Sequence, residues 1–423
     1  MLQTFGTFIA SLAVAANLAA CLPTTGQGKT LSINVVHNKN FKPNGPLALA
    51  KAYNKYKAPL PADLASVVSR IERDLGLQKR QGNGTGTGTG TGSDPTKPPP
   101  GSGDLEYLAE VDIGTPAQKL LLDFDTGSSD LWVFSNETQK SRISGQKIYD
   151  VNSSSSAKSL DGASWSIKYG DGSSCSGDVY LDRVTIGGLT VKQQAVESAK
   201  NVSSQFTKDS SQNSGLLGLA FDQINTVKPA RQKTWFSNIK DSLKAPLFPP
   251  PPFSEHHGTY NFGYIDDKEH DGEIAYTEVD SSQGFWGFTA SGYAVGDGDL
   301  QSSPILTGIA DTGTTLLLID NEVVEKYYSK VQGARQDRQQ GGYVFNCSAE
   351  LPDFSFGVGK AKVTIPGSII NYAPTETGSS TCFGGIQGSG GIGQSIFGDI
   401  ALKAALVVFD AGKNRLGWAP KKT

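Results

Sequence analysis

The order of apolar and polar positions divides the chain into stretches of different character. An uncharged opening carries an apolar run from Phe8 to Ala20, with small residues at Ala16, Ala19 and Ala20 suited to signal cleavage. Residues 1–20 are therefore expected to be an export signal. Leu18-Ala-Ala-Cys21 also has the form of a bacterial lipoprotein box, an alternative for the same segment. A basic, Asn-rich stretch follows, and from Pro61 to Leu77 a helical period emerges, with Leu64, Val67, Val68, Ile71 and Leu75 on one face. It ends before Lys79-Arg80, a dibasic pair of the kind cut by secretory processing proteases. Residues 81–103 hold a Gly-Thr repeat and Pro98-Pro99-Pro100, offer no apolar surface to bury, and read as a disordered linker. Residues 21–80 are thereby set apart as a removable pro-segment.

From Asp104 onward the period becomes that of strands. Short apolar runs at Tyr107–Ile113, Lys119–Phe124, Leu131–Phe134, Ser164–Tyr169 and Val179–Ile186 are punctuated by Gly-Thr-Pro, Asp-Gly and Gly-Gly. Helical pattern is confined to short pieces such as Thr234–Leu243 and Asn321–Val331. One order of signals occurs twice. Asp125-Thr-Gly-Ser-Ser is followed by Leu216-Leu217-Gly218, and Asp311-Thr-Gly-Thr-Thr by Ile396-Phe397-Gly398. The two triplets lie 186 residues apart, room for one β lobe each. The expected architecture is all-β and bilobal, with lobes at 104–275 and 276–423 and a cleft between them.

Composition agrees with that division. The chain has 423 residues, too many for one ordinary domain, with 50 Gly and only 19% charged residues. A net charge of −3 offers nothing to attract nucleic acid, and no later apolar run is long enough for a membrane span. The expected product is an exported, monomeric protein without nucleic-acid or membrane partners.

A single Asp-Thr-Gly is a common turn sequence. Two copies, each after a hydrophobic strand (Leu120–Phe124 and Pro304–Ala310), point to a site. Each strand would deliver its carboxylate into a buried loop, where Gly127 and Gly313 permit close backbone approach. Thr126 and Thr312 can bond across to the opposite loop, and Ser128 and Thr314 can each bond the outer oxygen of their own Asp. Two carboxylates forced together cannot both ionise, an effect long documented for acid dyads; they share a proton and titrate as a pair. The charged member then serves as general base on a water, while the protonated member polarises a substrate carbonyl. Such chemistry needs acid and no cofactor. No His-Glu-x-x-His or Cys/His spacing for a metal is present, and no Gly-x-Ser-x-Gly elbow for a serine hydrolase.

Longer motifs now carry a resemblance. Asp125-Thr-Gly-Ser-Ser-Asp-Leu-Trp-Val-Phe, Tyr169-Gly-Asp-Gly-Ser173, Gly215-Leu-Leu-Gly-Leu-Ala-Phe, Ala310-Asp-Thr-Gly-Thr-Thr-Leu-Leu-Leu, Ile396-Phe-Gly-Asp and Val408-Phe-Asp with Leu416-Gly-Trp-Ala-Pro stand in order over residues 104–423. Together they resemble the fungal pepsin-like aspartic proteases of the penicillopepsin and aspergillopepsin type. The resemblance implies a secreted acid endopeptidase made as a zymogen, with Asp125 and Asp311 catalytic and protein or peptide substrates. An acidic vacuolar compartment is the alternative location. The resemblance makes Tyr169–Ser173 the tip of a flap, with Tyr169 bonded to Trp132 and Gly170 in the turn. Phe206, Asp209 and Leu216 become pocket positions. Asp171, helped by Ser173, would accept Lys as well as large apolar groups before the cut bond; a solvated turn Asp is the plainer reading. Cys347 and Cys382 correspond to the one disulfide of these relatives.

Several features stand beside the resemblance. Cys175, on the strand leaving the flap, reads as a small buried hydrophobe rather than a redox switch. Asn83, Asn136, Asn152, Asn201 and Asn346 begin glycosylation sequons. Pro249–Pro252 and His256-His257 depart from the usual sequence between the lobes and suggest a rigid connector. The resemblance also implies a pro-segment laid across the cleft as intramolecular inhibitor, with Lys51, Lys55 or Lys57 on the acids and Lys55-Tyr56 preferred. The rival function is a catalytically inactive binding protein on the same fold. Such a protein would be expected to break a triplet or lose Tyr169, and here both are intact.

Overall fold

A computed structural model describes residues 28–37, 41–74, 107–168, 174–203, 212–251, 258–302 and 306–422. The export-signal and linker segments, Lys79-Arg80, Tyr169, Gly170, Asp171, Ser173, Phe206, Asp209 and His256-His257 lie outside the described residues.

The chain forms two β lobes, and residues 28–37 and 41–74 are built into them. Strand β1 (Leu31–His37) precedes helices α1 (Gly45–Lys55) and α2 (Ala62–Asp74). The first lobe then runs through β2 (Tyr107–Ile113), β3 (Gln118–Asp125), β4 (Leu131–Phe134), β5 (Lys158–Lys168), β6 (Ser174–Ile186), β7 (Leu189–Val202), β8 (Gly215–Gly218), β9 (Leu247–Phe248) and β10 (Thr259–Phe262). All of these strands except β9 form one nine-stranded sheet, in the order β10-β1-β2-β3-β8-β4-β7-β6-β5. Strand β1 therefore lies between two others, pairing Leu31 with Phe262 on one side and Val35 with Ala109 on the other. Strand β5 begins at Lys158, before the apolar run at Ser164, because pairing with β6 recruits polar residues.

The duplicated signals have duplicated geometry. In the first lobe β8 runs parallel to β3, setting Asp125 against Gly218, and antiparallel to β4. In the second, Ser395–Phe397 runs parallel to Leu306–Ala310 and antiparallel to Leu317–Ile319. The glycine ending each apolar-apolar-Gly motif meets the acid loop of its own lobe. A Cβ on Gly218 would come 2.6 Å from the Ser128 carbonyl, and one on Gly398 would collide with the Thr314 carbonyl. Amide donation fixes the contact: Leu219 N to Asp125 O at 2.8 Å, and Asp399 N to Thr314 O at 2.8 Å.

The lobes meet over an aromatic base. Strand β9 pairs with Ala405–Asp410, and the Ala275–Glu278 strand with Arg415–Pro420, in one sheet. Phe248 stacks on Phe409 at 5.0 Å between centroids, and Trp286 meets Phe409 edge-on at 5.2 Å. Each such ring buries enough area for roughly 4–6 kcal/mol before entropy is subtracted. Trp286 Nε1 donates to Leu219 O at 3.0 Å, tying this base to the end of β8. Cys347 and Cys382 are disulfide-bonded in the second lobe. Cys175 is buried among Trp132, Trp165, Val179 and Val202, and burial pushes its thiol far up.

Candidate active site

Strand β3 ends in Asp125 and strand Leu306–Ala310 runs into Asp311, and both side chains are buried, at 1% and 0% exposure. The loops interlock through the threonines. Thr312 Oγ1 donates to Phe124 O at 2.6 Å and accepts from Thr126 N at 3.0 Å. Reciprocally, Thr126 Oγ1 donates to Ala310 O at 3.0 Å and accepts from Thr312 N at 2.9 Å. Four bonds satisfy polar groups that could not otherwise survive burial. The glycines explain how closely the acids approach: a Cβ on Gly127 would strike the Asp311 carboxylate, and one on Gly313 the Asp125 carboxylate.

Each acid is served by its own loop. Asp125 Oδ1 accepts from Gly127 N at 2.8 Å, and Oδ2 from Ser128 Oγ at 2.6 Å. Asp311 Oδ1 accepts from Gly313 N at 2.9 Å, and Oδ2 from the Thr314 hydroxyl.

The remaining space is filled by the end of α1. Asn44 caps this helix by accepting from Leu47 N at 3.0 Å, and Pro46 occupies the first turn. The helix stops where Lys57 takes a positive φ of 57°. That stop leaves Lys55 and Tyr56 at the acids. Lys55 Nζ donates to Asp125 Oδ1 at 2.7 Å and to Asp311 Oδ1 and Oδ2 at 2.8 and 2.9 Å. Tyr56 OH donates to Asp311 Oδ2 at 2.5 Å. Lys51 and Lys57 are exposed. Helix α2 buries Leu64, Val67 and Val68 and leaves Ile71 half-buried; Arg70 donates to Gln339 O at 2.9 Å.

The acids titrate asymmetrically. Burial works against the Asp311 charge but is outweighed by the Lys55 ammonium and by donors from Thr314 and Tyr56, so its carboxyl is held down to about 2. Burial raises Asp125, and the Asp311 charge adds to that against the pull of Lys55. The Lys55 ammonium is stabilised by both carboxylates despite its burial.

With this geometry in place, comparison with known proteins decides the family. The family described as "Eukaryotic aspartyl protease" matches residues 106–421. The chain belongs to the eukaryotic aspartyl proteases. It is 54% identical to endothiapepsin of Cryphonectria parasitica over 94% of this chain and 92% of the relative. It is also 49% identical to aspergillopepsin-1 of Aspergillus oryzae over 97% and 98%, and 48% identical to penicillopepsin-3 of Penicillium janthinellum over 96% of each. The chain is thus a pepsin-like aspartic endopeptidase.

Of the other aspartyl protease positions named from sequence, Trp132 is buried, stacked on Trp165 at 6.2 Å, and Leu216 is half-buried between β3 and β4. Strands β5 and β6 pair as far as Lys168 and Ser174, the two residues that flank Tyr169–Ser173. Sequence reasoning gave no weight to Asp130, Glu197, Asn225 and Tyr260. Asp130 lies within a quoted motif. The others carry no local signal, since they meet the Asp125 loop only through folding. Tyr260, on β10, donates to Phe124 O at 3.3 Å.

Proposed function

We propose that Asp125 and Asp311 hydrolyse peptide bonds as one unit. The ionised carboxylate takes a proton from a water held between the two acids, and the protonated one polarises the scissile carbonyl. The water oxygen bonds to the carbonyl carbon, the tetrahedral intermediate collapses, and the amine leaves with a proton from the pair. No covalent enzyme intermediate forms. The observation that carries this reading is the four-bond interlock that fixes two buried carboxylates side by side at the ends of duplicated strands.

In this reading residues 21–80 are an intramolecular inhibitor that places Lys55 and Tyr56 where substrate and water would sit, the signal spans 1–20, and the mature enzyme comprises lobes 104–275 and 276–423 after the linker 81–103. The enzyme is a secreted monomer. Among the described residues no helix is long and apolar enough to cross a membrane. Tyr169, Gly170, Asp171 and Ser173 form the flap, and Trp132, Phe206, Asp209 and Leu216 line the substrate site. Large apolar residues are preferred before the cut bond, and Asp171 admits Lys there.

The test is cleavage of denatured haemoglobin across pH by secreted protein, beside Asp125→Asn and with pepstatin as inhibitor. Activity confined to acid, blocked by pepstatin and absent from the variant supports the reading. Activity retained by Asp125→Asn refutes it. Asp171→Ser should selectively lower kcat/KM for peptides with Lys before the cut bond.

A further inference from the structure

Three buried residues beside the Asp125 loop take no part in that scheme. Asp130 closes the loop, and Glu197 lies on β7, opposite Trp132 of β4 and Val179 of β6. They are 3% and 1% exposed. Asn225 sits between them. Its Nδ2 lies 2.9 Å from Asp130 Oδ1, 3.0 Å from Glu197 Oε1 and 3.1 Å from Ser129 O. Thr226 N also donates to Asp130 Oδ1, at 2.8 Å. An amide nitrogen has two hydrogens, so three acceptors compete for them. Among the described residues Glu197 Oε2 is shielded from solvent and has no hydrogen-bond partner, and the Asp130 and Glu197 carboxylates are close enough to share one nitrogen, Asn225 Nδ2. Among the described residues no cation relieves the pair: β4 and β6 present Trp132 and Val179, the 225–226 segment presents Asn225 and Thr226, and the next charge acting on Asp130 is Asp125, also negative.

We propose that Asp130 and Glu197 form a second proton-sharing acid pair, which positions the Asp125 loop while it keeps one proton and loosens it when that proton leaves. The proton resides on Glu197, whose Oε2–H donates to Asp130 and so satisfies the orphaned oxygen. Burial, reinforced by the Asp130 charge, pushes the Glu197 carboxyl well above the usual range. The connection to the site is short. Asn225 holds Ser129 O, Gly218 N holds Asp130 O at 2.9 Å, and the adjoining Ser128 is the donor to Asp125 Oδ2. Repulsion between two ionised partners acts directly on residues 128–130.

The sign of the pH effect follows. The folded chain keeps a proton that an unfolded glutamate releases near pH ~4.3. Stability from this pair is complete below that value and declines as pH rises, the unfolding constant growing about tenfold per pH unit until Glu197 itself ionises.

The full precursor, in which Lys55 occupies the catalytic acids, is the protein to test. Glu197→Gln keeps a donor toward Asp130 without titrating, and Asp130→Asn gives Glu197 a donor that makes the proton unnecessary. Between pH 5 and 8 either substitution should at least halve the fall in melting temperature seen in wild type. After activation, the rate of activity loss, assayed on return to acid, should rise less steeply with pH in the variants, by up to about tenfold per pH unit for the one proton no longer at stake. Wild type alone supplies a check that needs no substitution. With 13C-labelled glutamate, its infrared spectrum at pH 6.5 should carry the carbonyl stretch of an un-ionised carboxylic acid, and that band should vanish in Glu197→Gln. Parallel melting curves for wild type and whichever variants fold, or no such band in wild type, would overturn the proposal.

Discussion

Lys55→Met removes the cation from three contacts of 2.7–2.9 Å with the two acids. Truncating one partner of a buried ion pair costs about 3–5 kcal/mol when the other charge must stay. Here the acids have an alternative, since one can take a proton instead. For a carboxyl with an ordinary pKa near ~4 that costs about 3 kcal/mol at pH 6 and close to nothing at pH 4. On the proposed reading of residues 21–80 as an inhibitory pro-segment, its docking should therefore weaken about 100-fold at pH 6, with the difference from wild type closing as pH falls. In wild type the Asp311 carboxyl is held down to about 2. Its contribution to docking is present above the free value near ~3.9 and lost as pH falls toward that lower value. The assay is initial turnover of a fluorogenic peptide by purified precursor between pH 3 and 6, with gels confirming that the chain is still intact. The variant should be open near pH 6 and its activation nearly flat with pH. An activation profile identical to wild type would refute the assignment of Lys55 as the neutralising group.

Other consequences concern the frame that holds the acids. Thr312→Val leaves Phe124 O and Thr126 N without their partner in the interlock; at about 1–3 kcal/mol for each unsatisfied group, a lower melting temperature and a kcat loss larger than any KM change are expected. Gly398→Ala forces a methyl into the Thr314 carbonyl and should lower the yield of folded protein, whereas Gly393→Ala, with open space at its Cβ but a positive φ of 85°, should cost only about 1 kcal/mol by thermal melting. Replacing Cys347 and Cys382 together by Ser opens a loop of sequence separation 35 and should remove about 3–4 kcal/mol of stability under oxidising conditions, read by chemical denaturation.

The paired triplets, their strands and the second apolar-apolar-Gly signals were legible because each is local: a run of apolar residues, an acid, then a glycine where backbone must come close. Strand Leu131–Phe134 has the bounds its apolar run predicts, and the helical pattern at Asn321–Val331 forms a helix over Asn321–Tyr328. Strand β1 and helix α1 were missed. The run Leu31–His37 mixes polar and apolar residues and becomes a strand only when β2 and β10 pair with both its edges. Helix α1 carries Gly45 and Pro46 in its first turn, and its buried face includes polar Asn54 and small Gly45, Ala50 and Ala52, so no clean apolar stripe marks it. Its counterpart α2 has one apolar face and was found. The Asp130, Glu197 and Asn225 cluster left no trace in sequence because polar residues from three separate segments assemble it, and periodicity records only apolar faces.

The central claim is that two acids, one from each lobe, work as a single unit. The direct measurement is kcat/KM on one peptide substrate across pH for activated wild type, Asp125→Asn, Asp311→Asn and the double variant. The account predicts a profile bounded by two ionisations in wild type, a loss of about 100-fold or more in each single variant, and a double variant little worse than either. A single variant that keeps its activity, or losses that multiply in the double variant, would contradict it.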